Sequence, residues 1–99
     1  MKIDKTQNGT ELTVALHGRL DTVTAPELTE AFGDLSGVTK LAVDMENLDY
    51  VSSAGLRVLL NAQKKINGEG GSMVIRNVNE EIREIFEVTG FNEILTIEA

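Results

Sequence analysis

Across residues 41–60 the apolar side chains change their period, and that change restricts the folds open to this chain. Leu41-Ala42-Val43 reads as a buried strand, whereas Leu56, Leu59 and Leu60 recur at helical spacing. Between them lies Leu48-Asp49-Tyr50-Val51-Ser52-Ser53-Ala54-Gly55-Leu56-Arg57, with two adjacent hydroxyls and a glycine. A strand that enters a helix through a short polar junction is half of a strand–helix–strand unit. The hydroxyls at such a junction can cap the helix. They can also hold a phosphate, because free N–H groups and the helix dipole favour negative charge there.

The rest of the chain extends the same pattern. Residues 2–7 and 10–17 read as two strands joined by Asn8-Gly9, a two-residue hairpin turn. Leu12, Val14 and Leu16 alternate with polar or small residues, so one face of the second strand is buried. Gly18 to Thr22 reads as a loop. Thr24-Ala25-Pro26-Glu27 looks like a capping box, followed by an apolar stripe through Leu28, Ala31, Phe32 and Leu35 and a stop at Gly37. Lys40 to Met45 is the next strand. Residues 54–67 form the second helix, with Leu56, Leu59, Leu60, Gln63 and Ile66 inward and Arg57, Asn61, Lys64 and Lys65 outward.

Gly68 to Gly71 ends that helix, and Ser72 to Ile75 is a short strand. Asn79 caps a third helix, with Ile82, Ile85, Phe86 and Thr89 on its inner stripe and a left-handed stop at Gly90. Ile94 to Ile97 closes the chain as a strand. The order β-β-α-β-α-β-α-β predicts an N-terminal hairpin leading into a mixed, mainly parallel sheet packed by three to four helices. One domain spans residues 1–99. In such sheets the loops at the carboxyl ends of strands carry function, which would bring Gly18–Thr22 and Asp49–Gly55 together.

Composition narrows the chemistry. The absence of cysteine excludes thiolate catalysis and cysteine-ligated metal. A net charge of −7, from 9 basic and 16 acidic residues, argues against direct nucleic-acid binding. There is no long apolar run at the start and none of transmembrane length, so a cytoplasmic protein with no membrane partner is expected. The one histidine, His17, sits at the end of an amphipathic strand and reads as structural or solvent-facing. Asp44, Glu46 and Asp49 cluster after a strand, but Asp21 stands alone where a receiver domain needs an acidic pair, and Arg76 is not its lysine. Solvated loop charge is the better reading of Glu46 and Asp49 than a metal site. Gly68-Glu69-Gly70-Gly71 lacks the Lys-Ser/Thr end of a phosphate loop. No cofactor is expected.

Leu48-Asp49-Tyr50-Val51-Ser52-Ser53-Ala54-Gly55-Leu56 resembles the signature of STAS domains, specifically the bacterial anti-sigma factor antagonists. Gly18-Arg19-Leu20-Asp21, the helix begun at Thr24-Ala25-Pro26, Gly70-Gly71 before a strand, and Ile85 to Phe91 match that family in order, so the resemblance covers nearly the whole chain. It implies a partner switch. The unphosphorylated protein binds an anti-sigma factor of serine-kinase type, phosphorylation of a loop serine breaks the complex, and a serine phosphatase restores it. The family's acceptor, two residues before the glycine, falls on Ser53.

The resemblance also implies a partner-binding surface of Asp21, Thr22, Ser52, Ser53, Ala54, Gly55, Leu56 and Arg57, on a protein that is a monomer when free and not an enzyme. Two positions depart from the family pattern. Ser52 replaces a frequent aspartate before the acceptor, and Ala54 replaces a frequent serine or threonine after it. The alternatives are a STAS adaptor regulating another output, such as a lipid-transport ATPase, and a small hydrolase using Ser53. The last lacks a base in the sequence near the serine.

Overall fold

The computed structural model describes residues 1–98. Strands β1 (Lys2–Asn8) and β2 (Glu11–Leu20) form the expected antiparallel hairpin. The turn is shifted by one residue, because Asn8 pairs with Glu11 and leaves Gly9 and Thr10 as the connection. Gly9 takes φ +63°, which glycine adopts without a steric penalty at the first central position of a tight turn. Strand β3 (Lys40–Val51) lies parallel to β2, and β4 (Ser72–Arg76) lies parallel to β3, giving a sheet of order β1-β2-β3-β4.

Helices α1 (Ala25–Phe32), α2 (Ser53–Gly68) and α3 (Glu80–Thr89) lie with the sheet around one core. Leu12, Leu41 and Met73 are register neighbours, as are Val14, Val43 and Ile75, and all six are buried. They therefore form one apolar face. Leu28 and Phe32 of α1, Leu56, Leu59 and Ile66 of α2, and Ile82 and Phe86 of α3 close over it. Successive parallel strands that advance in one direction across a sheet place their right-handed crossovers on the same side, and the single core reflects that. Gln63, expected on the inner stripe of α2, is buried there.

Both long strands run further than the apolar alternation suggests. Gly18–Leu20 belongs to β2 and is not a loop, because Leu20 continues the even-numbered buried series through Leu12, Val14 and Leu16. Strand β3 continues to Val51 through two bulges. Ala15 pairs with Asp44 and His17 with Asn47, then Gly18 pairs with Leu48 and Arg19 with Tyr50, so β3 gains one residue at each step. Each extra residue resets which face points inward. The buried positions accordingly pass from Leu41, Val43 and Met45 to Leu48 and then Val51.

Helix α1 is shorter than expected. It ends at Phe32, where Gly33 adopts φ +61°, and Leu35 is buried from the following turn. The capping box at its start does not form: Thr24 is the N-cap, but its hydroxyl makes no capping bond. The C-terminal strand reduces to one parallel bridge between Ile75 and Ile97, held by Ile75 N–H to Thr96 O at 2.9 Å and Glu98 N–H to Ile75 O at 2.8 Å. The 3-10 turn at Phe91–Glu93 carries over into the first half of the expected strand, because Ile94 and Leu95 N–H both donate back to Phe91 O, at 3.0 and 2.7 Å, and Ile94 is exposed. Gly90 is left-handed as expected.

Asn79 couples this helical end to the sheet. Its Oδ1 accepts from Ile82 N–H at 2.9 Å, and its Nδ2 donates to Leu48 O at 3.0 Å, the carbonyl beside the second bulge. Asn79→Ala removes a cap and a cross-element bond together. Its unfolding free energy is expected to fall by about 1–3 kcal/mol, read as a lower urea midpoint at unchanged slope.

Candidate functional site

Strands β2 and β3 end side by side, and what leaves them forms one surface. Ser52 N–H donates to Leu20 O at 2.8 Å, which ties the exit of β3 to the exit of β2. Ser52 then serves as the N-cap of α2. It has extended backbone (φ −95°, ψ 174°), its Oγ accepts from Gly55 N–H at 3.3 Å, and its carbonyl accepts from Leu56 N–H at 2.9 Å. Ser53 is the first helical residue and is exposed; among the described residues its hydroxyl makes no hydrogen bond. The two serines, interchangeable as caps on paper, have different duties.

Gly55 is the closest contact of this junction. A Cβ there would lie 2.6 Å from Leu20 Cγ and 3.0 Å from Val51 Cγ2, too close unless those side chains or the helix shift. Leu56 is 3% exposed and faces the core. Gly55 and Leu56, expected among the partner-binding residues, thus place the surface from beneath and do not lie on it. Ser53 and Arg57 are exposed, and Ser52 and Ala54 are half-buried. Ala54 and Val58 line a mostly apolar groove with Thr22, Ala25 and Pro26, so the junction and the start of α1 share one shallow depression.

Asp21 organises the other side. Its Oδ1 accepts from Val23 N–H at 3.0 Å and from Thr24 N–H at 3.1 Å, while its own N–H donates to Thr24 Oγ1 at 2.8 Å. Thr24 Oγ1 lies 2.7 Å from Arg19 O, to which it donates. This closed turn is what takes Thr24 away from the capping box. The Thr24 N–H bond is the main reason that the Asp21 carboxyl sits below its ordinary ionisation range; partial burial opposes it, and the Val23 bond, the Thr24 hydroxyl and the Arg19 charge assist. Thr22 and Val23 are left at the exposed tip.

One pair was not legible beforehand. Arg19 stacks over Tyr50, 4.4 Å from the ring centroid, and its Nε lies 3.7 Å from Asp21 Oδ2. The two residues are register partners only because of the bulge before Tyr50, and no spacing rule announces that. His17 lies on the sheet face away from the helices, with Nε2 3.0 Å from Asp4 Oδ2, remote in role from Ser53. Asp44 accepts from Glu46 N–H at 3.0 Å and Asn77 Nδ2 at 3.1 Å, a structural duty beside the first bulge.

A STAS domain family model matches residues 2–99. The anti-sigma-B factor antagonist of Bacillus subtilis is 29% identical, with 100% of this chain and 92% of that protein covered. The fold superposes on SpoIIAA in its unphosphorylated form with a TM-score of 0.77 at 15% identity, covering 99% of this chain and 88% of that one. The phosphorylated form of SpoIIAA, from Bacillus, gives 0.74 at 16%, covering 99% and 92%. An anti-sigma factor antagonist from Mycobacterium paratuberculosis gives 0.86 at 21%, covering 97% and 83%.

Two expectations test the junction. Gly55→Ala is expected to lose about 1–3 kcal/mol of stability by overpacking. Gly68→Ala, at the open end of the same helix, is expected to be neutral or to gain about 0.5–1 kcal/mol, both by urea unfolding. Asp21, whose folded ionisation is depressed, stabilises the fold fully above its unfolded-state range and loses that contribution as pH falls through the folded one. The stability gap between wild type and Asp21→Asn is therefore expected to be present at neutral pH and to shrink in acid, measured by unfolding at pH 7 and pH 3.

Proposed function

The chain belongs to the STAS domain family, and we propose that it is an anti-sigma factor antagonist controlled by reversible phosphorylation of Ser53. The observation that carries the reading is the division between the serines: Ser52 Oγ is engaged as the cap, and Ser53, exposed at the first helical position, has a hydroxyl with no hydrogen bond among the described residues. A kinase can take Ser53 without breaking a hydrogen bond of the fold. The names of the relatives, anti-sigma-B factor antagonist among them, support the same assignment.

On this reading the unmodified surface binds an anti-sigma factor that is also a serine kinase. Exposed Val23, the groove along Ala54 and Val58, and the charges of Asp21 and Arg57 supply its contacts. The γ-phosphoryl group of ATP is transferred to Ser53 Oγ, with ADP leaving and the hydroxyl proton passing to a base of the kinase. The product carries about −1.5 to −2 charge at neutral pH. Within its own chain that charge sits at a helix N-terminus, where the dipole favours it. At a docked interface it must be desolvated or face partner carboxylates, and the complex dissociates. A phosphatase returns the hydroxyl by hydrolysis. The protein is a regulatory substrate in the cytoplasm and not an enzyme; among the described residues no helix is long and apolar enough to cross a membrane.

Incubation with the cognate kinase and ATP, followed by mapping, is expected to place one phosphate on Ser53 and none on Ser52. Ser53→Ala is expected to bind the kinase as tightly as the unmodified chain, and Ser53→Asp at least about a hundredfold more weakly, about 2.7 kcal/mol. Phosphate on Ser52 alone, or equal binding by both variants, would sink the mechanism.

A further inference from the structure

We propose that Arg57 is the intrachain partner of the phosphate on Ser53, so that one modification both adds a charge to the docking surface and withdraws a cation from it. The inference rests on the reading of Ser53 as the modified residue. Both side chains are exposed on α2, at its first and fifth positions. Residues four apart are neighbours on a helix surface, and helical side chains lean toward the N-terminus. Arg57 therefore leans back over the turn that begins with Ser53. An anion N-terminal to a cation at this spacing is also the favoured order.

Arg57 lacks a competing partner on its own helix. The residues three and four away are Ser53, Ala54, Leu60 and Asn61, none of them a carboxylate. Among the described residues it takes part in none of the ion pairs, which involve His17, Arg19, Lys40 and Arg76. Helix α2 also differs from its neighbours in its first turn. Glu27 lies in the first turn of α1 and Glu80 and Glu81 in that of α3, but α2, the longest of the three, has no acidic residue there. Phosphorylation supplies the missing anion at a helix end that carries an exposed guanidinium one turn on.

Unmodified Arg57, exposed one turn from Ser53 and in no ion pair among the described residues, is open to a carboxylate of the partner. Once Ser53 is phosphorylated, the guanidinium is drawn onto its own chain. The partner then meets a new anion and loses an old contact. The other charges at this end, Arg19 and Asp21 on the β2 side, Asp49 on β3, and Glu27 and Glu30 on α1, are common to the wild type and to an Arg57 variant. A comparison of the two isolates the pair.

Phosphoserine is incorporated at position 53 during synthesis of the full chain, and the second ionisation of the phosphate is titrated by phosphorus NMR at low salt. In the wild-type chain it is expected about 0.3 pH units or more below its value in Arg57→Gln. Equal or reversed ionisation would overturn the pairing. Because this titration needs no kinase, its failure is distinct from that of the functional reading, which falls if the kinase leaves Ser53 unmodified. Arg57 is exposed, so Arg57→Gln is expected to fold as the wild type does.

Discussion

The end of the sheet that carries the candidate site depends on one close approach, that of Gly55 to the side chains of Leu20 and Val51. The helix can start where it does because its third residue has no Cβ to hold it off the sheet. The bond from Ser52 N–H to Leu20 O then fixes β2 and β3 at a common end, and the Asp21 turn and the Ser53 surface follow as neighbours. Glycine is a weaker helix former than alanine, and at the third residue of α2 the close approach to Leu20 and Val51 accounts for its presence.

Most of the architecture was legible because its periods are clean. The pairing of the hairpin, the inward stripe of α2, the Asn79 cap and the Gly90 stop follow from local rules that the tertiary structure leaves intact, whereas the α3 stripe stops short of Thr89, which is exposed at the last turn with its hydroxyl bonded back to Ile85 O. The errors cluster at the site. The sequence pattern ends strand β3 at Met45 because its alternation breaks there, and it breaks because the bulges advance the inward face from Met45 to Leu48 to Val51. Gly18 resembled a loop residue, yet the even-numbered series continues through it to Leu20. Thr24 reads as half of a capping box, but its hydroxyl accepts from Asp21 N–H and donates to Arg19 O, and Asp21 Oδ1 takes the Thr24 N–H that Glu27 would reach. Irregularities of pairing are set by the neighbouring strand, which a single-strand pattern does not contain.

The site residues were recoverable in part for a related reason. Resemblance points to Ser53 and Asp21 as candidates, and chemistry alone leaves Ser52 and Ser53 as equals. Only backbone conformation separates them, since the extended residue caps and the helical one projects. Gly55 and Leu56 illustrate the opposite case, where a motif includes residues that support a surface from below. The Arg19–Tyr50 stack needed the register of two parallel strands to become visible.

The position of Ser53 at the first helical residue has a kinetic consequence. The N–H groups of a first turn have no partners within the helix, and the Ser53 hydroxyl serves no bond of the fold, so a group added there has nothing to displace. The modified and unmodified chains can share one backbone, and no refolding step separates them. On the proposed reading, the state of the switch then changes as fast as its kinase and phosphatase turn over. A partner reads it on encounter, without waiting for this protein to relax.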